Sequence, residues 1–275
     1  MDNQQPIAFI PAAGRGIRLS PITKIIPKEM FPVGRKPIIH HLVERLAKSG
    51  INKIIIAINP QKKIIQQYLG GGSDFGVHIR YVITNPHGID KALWAAKRYL
   101  SHQPFLYCAG DMFIKTPNIF TKLISLYKQY PGTGILTLKH MPTSELSRFA
   151  VSITRKKIGP LWDVQSLVEK PKSSRAQLPL VSLGIMILPP AFFEIMQKPK
   201  NEKEIQLSKY LNLFNKKGIP LWGYETKEDV YDCSNINEFA LANLSETKPR
   251  PHSLSPTRHS RFGDGAGQGI LASDK

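Results

Sequence analysis

The chain has 275 residues, 41% of them apolar and 9% aromatic, enough to bury a substantial core in one large domain or two. Its formal net charge of +18, from 38 Lys and Arg against 20 Asp and Glu, favours anionic partners. The basic residues are dispersed, with no run of five or six and no zinc-finger or RNA-binding signature, which argues against nucleic acid as the main partner.

In chain order, Met1 to Gln5 is polar and acidic, unlike a signal peptide. Ile7-Ala8-Phe9-Ile10 then predicts a buried strand of about four residues. It breaks at Pro11 into Ala12-Ala13-Gly14-Arg15-Gly16. Two glycines after two alanines let a ligand approach the peptide backbone, whose N–H groups suit phosphate oxygens. Arg15, Arg18, Lys24 and Lys28 follow within fourteen residues and supply the positive charge a polyphosphate needs. The loop is neither a P-loop nor a dinucleotide fingerprint, because Leu19 stands where the third glycine of the latter would be.

A helix is predicted to begin in Lys36-Pro37-Ile38-Ile39 and to end at Ser49-Gly50. Residues 53–58, KIIIAI, read as a strand of a parallel sheet buried on both faces. A helix over 61–69, a strand over 77–83, a helix over 90–100 and a strand over 105–109 continue the alternation. This pattern predicts an α/β fold with a doubly wound, mainly parallel mixed sheet in a single domain. Further on come a helix over 117–130 and a strand over 134–139, then strands over 150–154 and 166–168 about the basic connection Arg155-Lys156-Lys157. A strand over 181–188, helices over 190–197 and 204–217, a strand over 220–224 and a helix over 235–244 complete the domain, residues 1–245. Residues 246–275 are rich in Ser, Gly and Pro and poor in large apolar side chains, which predicts a disordered tail. No apolar run approaches the ~20 residues of a membrane helix. Cys108 and Cys233 are far apart beside predicted strands, so a disulfide framework is not expected and a reducing, cytoplasmic setting fits.

Three further spots carry candidate chemistry. Asp111 directly follows the strand over 105–109, where such sheets bind ligands, and a carboxylate there can hold Mg²⁺ or simply turn the chain. Asp232 ends a strand-like segment before a helix and by itself passes as a helix cap. Glu169-Lys170-Pro171 alone reads as a strand end with an exposed ion pair, and Gly184 as a strand bulge.

Taken together, Gly14-x-Gly16-x-Arg18, Thr23-Lys24 and Pro27-Lys28-Glu29-Met30-x-Pro32 resemble the signature of the sugar-1-phosphate nucleotidylyltransferases. The Pro-Lys-Glu-Met form is most similar to bacterial UTP–glucose-1-phosphate uridylyltransferases, and Glu204-Ile205-Gln206-Leu207 adds to the likeness, which runs from about residue 7 to 244. The resemblance implies transfer of a nucleotidyl group, from UTP in the first instance, to a sugar-1-phosphate such as glucose-1-phosphate, with Mg²⁺ and within a homo-oligomer. It implies nucleotide contacts at Ala12, Ala13, Gly14, Gly16 and Gly88. Arg18, Lys28 and Lys170 would carry the phosphate chemistry, with Glu169, Lys170 and Gly184 at the sugar phosphate and Asp111 and Asp232 as metal ligands. Arg18 and Lys28 are thus expected to matter more for turnover than for folding.

The chain departs from that family at several places. Ile17 replaces a Thr, and the base-binding Gln is lost from Ile83-Thr84-Asn85-Pro86-His87-Gly88-Ile89-Asp90-Lys91-Ala92. Phe149-Ala150-Val151 stands for Tyr-Gly-Val, and Asp232-Cys233-Ser234 for Asp-x-Gly. A long helical insertion before the third strand is missing. Two readings follow: an active transferase with shifted substrate choice, dTTP or CTP included, or a relative that binds nucleotide-sugar without turnover.

Overall fold

The computed structural model describes residues 5–85, 88–171, 179–199 and 205–247. Strand β1 (Ile7–Pro11) leads into a loop with three single-turn 3-10 helices at Ile17–Leu19, Ile22–Lys24 and Lys28–Met30. A small ribbon, β2 (Pro32–Val33) and β3 (Lys36–Pro37), precedes helix α1 (Ile38–Lys48). Then come β4 (Lys53–Ile58), α2 (Lys63–Leu69), β5 (His78–Ile83), α3 (Ile89–Leu100), β6 (Phe105–Cys108), β7 (Met112–Ile114) and α4 (Asn118–Gln129). The second half holds β8 (Gly134–His140), β9 (Ala150–Ile158), β10 (Leu161–Glu169), β11 (Leu180–Leu188) and α5 (Phe192–Ile195). It closes with α6 (Leu207–Lys216), β12 (Leu221–Glu225), β13 (Val230–Asp232) and α7 (Ile236–Thr247).

Among the described residues, nine strands form one sheet in the order β5-β4-β1-β6-β11-β8-β12-β10-β9. The β1–β4, β1–β6, β4–β5 and β8–β12 pairs are parallel. Strands β11 and β10 run against the neighbours beside them, which makes the sheet mixed and mainly parallel, as predicted. Alternation of side chains explains the unbroken apolar strands. In β4, Ile54, Ile56 and Ile58 join the core on one face, with Ile39, Leu42 and Leu46 of α1 and Leu123 of α4. Ile55 and Ala57 join the core on the other, with Leu93 and Ala96 of α3 and Phe214 of α6. A third cluster, which includes Leu19, Phe31, Val33, Phe113, Cys233 and Ala242, anchors the loop after β1 against α7.

The structure differs from the sequence reading in four places. Lys36-Pro37 belongs to β3, and α1 starts one residue later, at Ile38. The basic residues Arg155, Lys156 and Lys157 lie inside β9, and the chain turns at Gly159, with φ of +56°, before β10. Strand β9 ends the sheet order, and its outer half is exposed, so charged side chains are tolerated there and discourage further pairing. The helix expected over 190–197 contracts to Phe192–Ile195. Helix α7 runs through Glu246 to Thr247, two residues into the predicted tail. Residues 248–275 and Glu204 lie outside the described residues. Both cysteines are free and buried, and no described helix is long and apolar enough to cross a membrane.

Candidate active site

The loop after β1 is pinned from below. The Ala12 N–H donates to the Ala57 carbonyl at 2.8 Å, and the buried Asn59 side chain donates to the Ala13 carbonyl at 2.6 Å. Gly16 adopts φ of +68°, a left-handed conformation, and its carbonyl accepts the Thr23 hydroxyl at 2.9 Å. A Cβ on Gly16 would lie 2.9 Å from Thr23 Cγ2, so glycine is required there twice over. Around Gly14 no heavy atom comes within 4 Å of where a Cβ would sit, which leaves its backbone open to a ligand.

A cleft of about 400 Å³ opens over this loop, bordered by Ala13, Gly14, Gly16, Arg18, Lys28, Gly88 and Asp111 of the predicted residues. Ala12 is buried beneath it. Asp232 does not line this cleft but a separate hollow with Met112, Lys139, Phe149 and Glu238; it reaches the cleft lining through Ser234, whose N–H donates to Asp232 Oδ1 at 3.0 Å. Arg18 is exposed on its 3-10 turn.

Lys28 Nζ donates to Asp111 Oδ2 at 2.5 Å, with both side chains largely shielded from water. Burial by itself opposes the charge on Lys28. The nearby Asp111, Glu29 and Asp232 carboxylates outweigh it and hold the ammonium above the usual lysine range. Burial likewise opposes ionisation of Asp111, but Lys28, with help from Arg18, takes its carboxyl below the usual range. Both groups are therefore charged near neutrality.

Beneath them lies a second ion pair that the local sequence pattern does not reveal. Lys62 Nζ donates to both Glu29 oxygens, at 2.9 and 2.7 Å, and both side chains are buried. Here burial dominates, pushing the Glu29 carboxyl up and the Lys62 ammonium down despite their mutual attraction. Residues 28, 29, 62 and 111 thus form an alternating chain of charges at the floor of the cleft.

The backbone segments carrying Asp111 and Asp232, 121 positions apart in the chain, pair in a short antiparallel ribbon. Strand β13 pairs with β7 so that Asp232 opposes Met112, and the Cys233 N–H donates to the Asp111 carbonyl at 3.0 Å. No group of three or more His, Cys, Asp or Glu suited to a metal occurs among the described residues. A pair of carboxylates is nonetheless a hard-oxygen donor set that suits a cation taking its remaining ligands from water and phosphates. Asp232 Oδ1 also accepts the Ser234 hydroxyl in the turn after β13. It does not cap the helix: the Asn237 and Glu238 N–H groups donate to Asn235 Oδ1 at 2.9 and 3.2 Å, so Asn235 caps α7.

The predicted sugar-phosphate residues Glu169, Lys170 and Gly184 do not line the cleft. Glu169 ends β10 and accepts the Ser208 hydroxyl of α6 at 3.0 Å. Lys170 has φ of +43°, and its N–H donates to the Phe149 carbonyl at 3.0 Å. Strand β11 changes register against β8 between Ser182 and Met186, around Gly184, as expected of a bulge. The Gly184 carbonyl accepts the Ala109 N–H at 2.8 Å, and a Cβ there would lie 2.9 Å from the Ala109 Cβ. Gly184→Ala should therefore cost about 1–3 kcal/mol, read by urea unfolding, because β11 or the Asp111 turn must shift. Unchanged stability would show that this close approach is not required.

A family model described as Nucleotidyl transferase matches residues 7–243. The chain belongs to this family. It is similar to the UTP–glucose-1-phosphate uridylyltransferase of Staphylococcus haemolyticus, with 30% identity over 263 residues, 86% of this chain and 90% of that protein. It is also similar to UTP–glucose-1-phosphate uridylyltransferase 2 of Streptococcus pyogenes serotype M1, with 29% identity over 272 residues, 89% of this chain and 91% of that protein. The solved structure of UDP-glucose pyrophosphorylase complexed with UDP-glucose superposes with a TM-score of 0.78 at 26% identity, covering 88% of this chain and 98% of that one.

In this nucleotidyl transferase the segment 83–92 spans the end of β5 and the start of α3, and its Pro86 and His87 lie outside the described residues. Gly88 has φ of +95° and precedes α3 at the cleft edge. Asp90, in place of a small residue, is fully buried and neither of its oxygens is hydrogen-bonded. It sits in the first turn of α3, where the partial positive charge of the helix N-terminus favours a carboxylate.

Proposed function

We propose that this nucleotidyl transferase moves a uridylyl group from UTP to glucose-1-phosphate, giving UDP-glucose and pyrophosphate. The observation that carries the reading is the convergence of Arg18, Lys28 and Asp111 on a glycine-bearing loop in one cleft. The sugar-phosphate oxygen forms a bond to the α-phosphorus of the triphosphate while the bond from that phosphorus to the bridging oxygen breaks, and pyrophosphate leaves. The attacking group is already an anion, so no general base is required, and positioning plus charge neutralisation carry the reaction. The loop N–H groups and Gly14 cradle the phosphates, and Arg18 meets the charge that develops on the departing pyrophosphate. Lys28 holds the α-phosphate region, and Glu169 and Lys170 orient the incoming sugar phosphate. Asp111 and Asp232 would hold Mg²⁺, which supplies neutralisation of phosphate charge when bound.

The loss of the base-side Gln, with Asn85 and the buried Asp90 in that segment, favours testing dTTP and CTP beside UTP. Pyrophosphate release by the purified protein with Mg²⁺, glucose-1-phosphate and each triphosphate in turn decides the base. Release with UTP is the expected result. Release only with dTTP or CTP would change the assigned base, and silence with every triphosphate and several sugar phosphates would overturn the enzyme reading in favour of a nucleotide-sugar binder.

A further inference from the structure

We propose that Lys28 is the resident cation of the Asp111 site and that a divalent ion binds there only as Lys28 gives up this carboxylate for the incoming triphosphate. The proposal rests on the reading of the cleft as a nucleotidyl-transfer site, and it assigns Lys28 a gating role in metal binding besides its contact with phosphate.

Three observations carry it. First, the ammonium already lies 2.5 Å from Asp111 Oδ2 in a largely buried position. A magnesium-sized ion ligates oxygen at about 2.0–2.1 Å, so the two cations would crowd one small carboxylate, and their repulsion is poorly screened where water is scarce. Second, formal charge matches the exchange. Asp111 and Asp232 together carry two negative charges, which complements a dication, but with Lys28 in place only one negative charge remains. Third, Lys28 has a short path to its alternative partner. Its Cδ lies 3.5 Å from the point a Cβ on Gly16 would occupy, so its stem already runs along the glycine loop. Rotation about its terminal bonds can carry the ammonium from Asp111 towards phosphates on that loop, as the flexible four-carbon stem of lysine allows. The Lys62 ammonium meanwhile occupies both oxygens of Glu29, so that the neighbouring carboxylate is already engaged and does not take Lys28 in turn.

The consequence is coupling: each ligand should bind poorly without the other, because Lys28 can neither leave Asp111 at no cost nor share it. The test is Mn²⁺ affinity of the nucleotide-free protein, followed by electron paramagnetic resonance titration. Lys28→Met and Lys28→Gln are expected to bind Mn²⁺ about tenfold or more tightly than the wild type, although both lose turnover. Lys28→Arg, which keeps the charge, should bind as weakly as the wild type, and Asp111→Asn should abolish binding in every background. If a variant folds only with metal present, the rise of its thermal midpoint with Mn²⁺ reports the same affinity. Equal or weaker Mn²⁺ binding by both neutral variants overturns the proposal. When the wild type still releases pyrophosphate, that failure is confined to the gating role. Absence of both pyrophosphate release and Mn²⁺ binding from all proteins would instead remove the transferase reading and the proposal with it.

Discussion

Replacing Arg18 by alanine should lower kcat for pyrophosphate release by about 10²–10³-fold, the size of effect seen when one preorganised charge-stabilising group is removed. The same change should leave folding within about 0.5 kcal/mol of the wild type, as expected for an exposed side chain that fills no cavity. Arg18 borders the cleft from an exposed 3-10 turn, and its charge reaches Asp111, so its field acts on the ligand space rather than on the core. KM for the sugar phosphate should change far less than kcat, because the role assigned to Arg18 is at the leaving group. Near-normal kcat in Arg18→Ala would sink that assignment. The structure separates Arg18 from Lys28 in this respect: losing Lys28 also strips a buried carboxylate of its partner, so its effect extends to folding.

The second large effect falls on a residue outside the family signature. Lys62→Met should cost about 3–5 kcal/mol of stability in urea unfolding, because it leaves Glu29 fully buried with no hydrogen-bonding cation. The double variant Lys62→Met with Glu29→Leu should be much less destabilised, since replacing both members by apolar groups removes the uncompensated charge. A double-mutant cycle then gives a large interaction energy between the two sites. If Lys62→Met alone unfolds within about 1 kcal/mol of the wild type, the pair is not held as a charged contact. Because Glu29 adjoins Lys28 and packs near the Asp111 turn, with its Cγ 3.3 Å from where a Gly110 Cβ would sit, this loss should reach the cleft as well.

Much of the molecule is determined by local sequence. Ile7–Pro11, Lys53–Ile58 and the helices between the parallel strands follow from continuous or helical apolar spacing, because a strand covered on both faces and a helix packed on one face each leave a periodic trace. The cleft-lining loop is legible too, because Gly14, Gly16, Arg18 and Lys28 lie within one loop and need only local geometry to converge. Strands β7 and β13 are three residues each, too short to show any period, yet they bring Asp111 beside Asp232. The antiparallel entry of β11 beside β6 joins Gly184 to Ala109, and no local pattern encodes which strand becomes whose neighbour. Lys62 and Glu29 stand 33 positions apart with nothing in either flank to mark them as partners. The sequence by itself therefore determined the elements, the glycine loop and its cations. Only the tertiary structure decided which carboxylates those cations meet, because local apolar spacing records which side of an element is buried and is silent on what it is buried against.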